Sequence, residues 1–250
     1  MARFMDERSR ASNPGGISLS TEKLGHLEPA LLGTERFLCS SPLCSMKHTT
    51  ADLRARLQEH LELGDSRAAV VVSTQPLLVA AWSDDLDGAV LLRFPEAFVD
   101  RYALTPGSRL LTVNTYQALR HPKTREPVVA VDLVPGPKAT GWSNVHPCIA
   151  EFISDDVSVI DARKRAIDEA EWANLDVGAR KRIEALGADT ARPGGPLHFG
   201  TPVPLAASPD LFRAASGAGF STMPPTRMPM LVGAIVVVAV LTKLLALLGK

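Results

Sequence analysis

AAVVVSTQPLLVAAWSDDLDGAVLLRF, residues 68–94, is the stretch from which the fold of this chain is read. Ala68–Ser73, Leu77–Ser83 and Ala89–Phe94 are short β-branched or aliphatic runs. They are parted by Thr74-Gln75-Pro76 and by Asp84-Asp85-Leu86-Asp87-Gly88. Such continuous runs suit strands covered on both faces, and breaks this short suit antiparallel neighbours. Carboxylates at Asp84, Asp85 and Asp87 could wrap a hard cation. No glutamate stands where an EF-hand loop needs one, however, and Asp-Gly is a common hairpin corner, so we read a turn.

Working outward, Pro95 occupies the first position of a short helix whose apolar side is Phe98, Val99 and Tyr102. Thr105-Pro106-Gly107 ends it, and Arg109–Tyr116 returns as a strand. Val128–Val134, closed by Pro135-Gly136-Pro137, reads as a further strand. Upstream, Thr49 and Asp52 have capping-box spacing, Leu53, Leu57 and Leu61 share a helical face, and Gly64 supplies a stop. His60 adjoins that face. Residues 24–38, broken by Gly25, Pro29 and Gly33, read as an irregular or briefly helical lead-in. Downstream, Ser154-Asp155-Asp156 opens a helix to about Asn174, with a shorter helix over Ala179–Leu186. The fold class expected is α+β: a largely antiparallel sheet of about five strands with flanking helices.

The polar residues 1–23 are expected to be a disordered N-terminus, leaving a globular domain over residues 24–187. Residues 188–227 hold seven prolines and five glycines without periodicity and read as a linker. The run MPMLVGAIVVVAVLTKLLALLGK closes the chain at residues 228–250, and no charge falls between Met228 and Thr242. About 20 helical residues cross a hydrocarbon core of about 30 Å, so residues 228–249 are expected to form a single transmembrane tail anchor. The amino-terminal stretch has no apolar core of a secretory signal. The body is therefore placed on the cytosolic side, as a single-pass membrane protein whose lipid contact is Met228–Leu248. Three cysteines suit a reducing compartment. Twenty-seven basic residues balance twenty-seven acidic ones, so no nucleic-acid partner is expected.

Two stretches concentrate chemistry. In FLCSSPLCSMKH, Cys39, Cys44 and His48 stand at C-x4-C-x3-H spacing and could supply three ligands of a tetrahedral zinc site, with His60, His146 or Cys148 as the fourth. The loop Lys138–Cys148 gathers Trp142, Ser143, Asn144, His146 and Cys148. His146 and Cys148 are the candidate catalytic pair, with Asp84, Asp85 or Asp87 nearby. In an extended segment we expect the two to point to opposite faces and not to pair directly, and no third, orienting group is identifiable.

GAVLLRFPEAFVDRYALTPGSRLLTV, residues 88–113, resembles the strand–short helix–Pro-Gly–strand hinge of swapped-hairpin transcription regulators. Pro95 and Pro106-Gly107 carry the likeness. That family sets basic residues of the preceding hairpin against DNA, whereas the hairpin here is acidic, so the resemblance implies local structure alone.

The chain has no P-loop, no dinucleotide fingerprint, no G-x-S-x-G and no H-E-x-x-H. We therefore expect a membrane-tethered cytosolic interaction or regulatory module, acting on a protein partner, in preference to an enzyme. Two alternatives remain: a hydrolase or transferase with its site near Trp142–Cys148, and a zinc-stabilised sensor controlling assembly of its membrane tail.

Overall fold

The computed structural model describes residues 11–32, 36–38, 47–118, 129–139, 142, 144–196 and 205–206, excepting the side chains of 36–38, 47–48 and 205–206. All belong to the first of two units, residues 1–218; the second, residues 219–250, lies outside them. In chain order, α1 (Thr21–Leu27) and a 3-10 turn precede a small ribbon of β1 (Arg36–Leu38) and β2 (Lys47–Thr49). Then come α2 (Thr50–Leu63), β3 (Asp65–Thr74), β4 (Leu77–Ser83), β5 (Gly88–Arg93), α3 (Ala97–Arg101), β6 (Arg109–Gln117), β7 (Val129–Ala130) and β8 (Asn144–Ile149). After a 3-10 turn at Ala150–Phe152 follow α4 (Val157–Ala166), α5 (Glu169–Leu186), β9 (Arg192–Pro193) and β10 (Leu205–Ala206).

The main sheet has six strands in the order β8-β6-β3-β4-β5-β9. Neighbours are antiparallel except β5 and β9, which run parallel. Period-two alternation divides its side chains between two cores. Ala68, Leu78, Ala80, Trp82, Leu91, Leu111 and Val113 pack against Leu57 and Leu61 of α2, Ile160 of α4, and Trp172, Leu175 and Ala179 of α5. Val71, Val79, Val90, Leu92, Leu110, Val145 and Ile149 form the other core, closed by Phe94, Phe98 and Phe152. Phe152 meets Phe94 and Phe98 edge-on, with ring centroids 4.8 and 5.2 Å apart.

The sheet is curled. Arg192, on the edge strand β9, donates from Nη1 to Val145 O at 2.7 Å and from Nη2 to Asn144 Oδ1 at 3.1 Å. Both acceptors lie on β8, the opposite edge strand. Asp132 holds the same guanidinium with both carboxylate oxygens, at 2.5 and 2.8 Å. One side chain thus joins two edges five strand spacings apart in sheet order, which a flat sheet forbids. Helices about 10–12 Å wide do not fit inside so small a curl, so the helix-covered face is the outer one.

Local chemistry explains most elements. Thr49 and Asp52 form the reciprocal capping box, with Asp52 N donating to Thr49 Oγ1 at 3.1 Å and Thr49 N to Asp52 Oδ2 at 3.0 Å. Asp84–Asp87 is a turn, and Asp87 lies at φ 47°. Gly178 lets α5 approach the sheet: a Cβ there would stand 2.9 Å from Trp82 Cζ3. Gly178→Leu is expected to lower stability by about 1–3 kcal/mol through overpacking, read by chemical denaturation with the Trp82 emission shifted in the native state.

Several expectations are revised. The sheet has six strands and is mixed, because Arg192–Pro193, assigned to the linker, adds a parallel strand. The strand expected over Val128–Val134 shrinks to Val129–Ala130, paired with β10 outside the main sheet. Asn144–Cys148, read as the end of a loop, joins Ile149 to supply the edge strand instead, and an edge tolerates Pro147 because a missing N–H there breaks no ladder. The helix drawn from Ser154 to Asn174 is two helices: Ile167 is extended, and Asp168 caps α5 by accepting from Ala170 N at 3.1 Å. Residues 11–20, included in the expected disordered segment, pack on the body, with Ile17 buried and Gly15 N bonded to Gly64 O at 2.9 Å. Among the described residues no helix is long and apolar enough to cross a membrane; residues 228–249 lie outside them.

Candidate functional site

β3 and β4 pair as far as Ala69 and Ala81 and then part. Two backbone groups at the split are taken by side chains. Glu171 Oε1, from α5, accepts from Ala68 N at 2.7 Å, and Asn114 Nδ2, from β6, donates to Trp82 O at 2.7 Å. Arg67 sits at this split, its side chain 15% exposed. Its guanidinium donates to Asp65 Oδ2 at 2.7 Å, to Glu171 Oε2 at 3.4 Å, to Ser12 Oγ at 3.0 Å and to Asp84 Oδ2. Tyr116 Oη donates to Asp84 Oδ1 at 3.3 Å, and the Tyr116 ring lies 5.9 Å from that of Trp142.

One guanidinium therefore faces three carboxylates. Burial raises the carboxyl groups of Asp65 and Glu171, and Arg67 pulls both back down. Burial first, then the Asp84 carboxylate, raises the Tyr116 phenol. All the carboxylate oxygens have donors: Asp65 Oδ1 from Asn13 N, Asp84 Oδ1 from Asp85 N and Tyr116, and the others as given. A cluster so occupied joins the amino-terminal segment, β3, the β4 turn and α5. Among the described residues its one cation, Arg67, is fully engaged.

The second polar group lies on the outer face. His60 Nε2 is 2.7 Å from Val113 O; a carbonyl only accepts, so Nε2 carries the hydrogen. Nδ1 then accepts from Thr115 Oγ1 at 3.1 Å. Thr115 is the register partner of His146, and Val113 of Cys148, so His146 and Cys148 share one face. Residues two apart in a strand always do, which corrects the expectation that they would diverge. Burial lowers the His60 imidazole to about 4. Burial, aided by His60 and Arg192, lowers His146 to about 3. Cys148 is 2% exposed inside the outer core, and burial pushes its thiol up to about 12. A thiol held so far from thiolate is a poor nucleophile at neutral pH.

Of the other candidates, Asp84 is brought to Arg67 and Tyr116, Asp87 Oδ2 accepts from Lys138 N at 3.1 Å, and Asp85 lies in the turn. Cys39 and Cys44 lie outside the described residues, and His48 is described only as backbone of β2. Among the described residues no three His, Cys, Asp or Glu side chains are placed to hold a metal ion. Sequence reasoning does not find the Arg67 cluster. Its signal is the pair Asp65 and Arg67, two charges on one face at the head of an apolar strand. No protein-family model, curated protein or solved structure matches the chain.

Proposed function

We propose that the protein is a membrane-anchored interaction or regulatory module, its body on the cytosolic side and held by a single span at residues 228–249. The observation that carries this reading is the uncharged run from Met228 to Thr242, continued by Leu244–Leu248. The body supports binding over catalysis. Its Arg67 cluster is internally paired, its cysteine at 148 is buried as thiol, and the buried His60 and half-buried His146 are held neutral. A hydrolase or transferase site gains one contact, the Trp142–Tyr116–Asp84 chain, but among the described residues no activated nucleophile stands beside it. A zinc-stabilised sensor rests on Cys39, Cys44 and His48.

The test is flotation of the full chain with phosphatidylcholine vesicles. The unmodified protein is expected to float and to resist a carbonate wash. Val236→Asp with Val238→Asp is expected to leave it in the dense fractions, since each central carboxylate costs about 2.5–3.5 kcal/mol. An unmodified chain that stays in the dense fractions without detergent sinks the proposal.

A further inference from the structure

The outward side of α4 carries an open, mostly apolar groove of about 300 Å³, lined by Ser158, Val159, Ala162, Arg163 and Ala166. Ser158, Ala162 and Ala166 are exposed and four apart, so they follow one line along the helix. Side chains this small let another helix come close.

The charges beside this line are ordered. Asp161, 52% exposed, and Arg165, exposed, stand on one flank, the acid toward the amino end and the base toward the carboxyl end. Arg163 is committed to Asn13 Oδ1 and Gly15 O, and Lys164 to Glu151 and Asp161. Among the described residues Arg165 donates only to the backbone oxygen of Asp161, at 3.2 Å, and meets no carboxylate. Its charge is unmatched within the described part of the molecule.

We propose that this face binds a second copy of the chain, the two α4 helices running antiparallel about a two-fold axis near Ala162. In that arrangement the same flank of each helix lies side by side with direction reversed. Arg165 of each copy then faces Asp161 of the other, and Ser158 of each lies over the small Ala166 end of the opposite groove. The surface is self-complementary, as a two-fold interface must be. A parallel pair would set Asp161 beside Asp161 and Arg165 beside Arg165. Glu169, near the end of the contact, is already neutralised by Arg109, whose two Nη groups hold its oxygens at 2.6 Å.

A pair of ten-residue helices is a small interface, so the contact is weak in dilute solution. Confinement to one membrane surface would raise the effective concentration. The strength of the pairing in a cell thus rests on the anchoring proposed above, but the pairing itself does not.

The experiment uses the full chain in mild detergent, with Cys39→Ser and Cys44→Ser as background and Ala162→Cys added. Under mild oxidation Ala162→Cys is expected to give a covalent dimer at least ten times faster than Arg180→Cys on the exposed side of α5. Adding Arg165→Asp is expected to slow cross-linking about tenfold, and adding Asp161→Arg to that chain to restore it. No dimer above background with Ala162→Cys overturns the pairing, as does a rate indifferent to Arg165→Asp. So does a dimer formed only after residues 2–10 are deleted, which would assign the groove to the chain's own amino-terminal segment. Flotation is measured on the same variants, so that loss of pairing with attachment intact sinks the pairing alone.

Discussion

Arg67→Met is expected to lower the unfolding free energy at pH 7.5 by about 3–5 kcal/mol, the cost of leaving buried charge without its partner. Most of this comes from Asp65 and Glu171, whose side chains are 6% and 16% exposed. Asp84 is 44% exposed, so its share is screened by water and small. The sign of the pH dependence follows from the same geometry. Burial raises the carboxyl groups of Asp65 and Glu171, so the folded protein holds these protons more tightly than the unfolded chain does. Their contribution to stability is therefore lost as pH rises past the ordinary carboxylate range. Without Arg67 to oppose it that loss deepens, and the gap between variant and parent narrows on acidification. Urea midpoints at pH 7.5 and 5.0 measure this. A variant within 1 kcal/mol of the parent at pH 7.5 would show the cluster to be solvated, contrary to the account above.

His60 gives the second large effect, with the opposite sign. Its imidazole titrates at about 4 in the folded protein against an ordinary value of 6.5, chiefly because burial disfavours the cation. The unfolded chain therefore binds a proton that the folded one refuses between these values. Stability is intact above pH 6.5 and falls as the pH drops toward 4. A difference of this size corresponds to about 3 kcal/mol. His146, lowered to about 3 and pushed down in part by His60 itself, steepens the same limb. His60→Gln keeps a donor and an acceptor but cannot titrate. It is expected to cost about 1–3 kcal/mol at pH 7.5 through imperfect bonds to Val113 and Thr115. It should also flatten the slope between pH 6.5 and 4.5. Denaturant midpoints across that interval decide the matter, and equal slopes for parent and variant would remove His60 from the acid response.

The two effects differ in how far the sequence announces them. Charges at Asp65 and Arg67 stand plainly before an apolar run, but nothing nearby names Glu171 or Tyr116 as their partners. Those come from α5 and β6, and only the parting of β3 from β4 beyond Ala69 and Ala81 gives them a reason to converge. His60 reads from the sequence as a neighbour of an apolar helical face, which is where it is. Its neutral state is set by burial, and its tautomer by Val113 and Thr115, 53 and 55 residues away.

What the sequence determined by itself is everything enforced within a few residues. The antiparallel run of β3, β4 and β5, the Asp84–Gly88 corner, the Thr49 capping box and the Gly64 stop all follow from turn chemistry, capping and period, and so does a short helix after Pro95, although it opens at Ala97 and not at Pro95 itself. The tertiary structure decided what depends on partners far along the chain. A strand containing Pro147 is credible only at an edge, and which strand is the edge is a property of the whole sheet. Two residues, Arg192 and Pro193, are too few to declare a strand, and become one because β5 offers them a free side. The curl itself hangs on Arg192 reaching Asp132, Asn144 and Val145, and contacts 47 to 60 residues apart leave no local pattern to read.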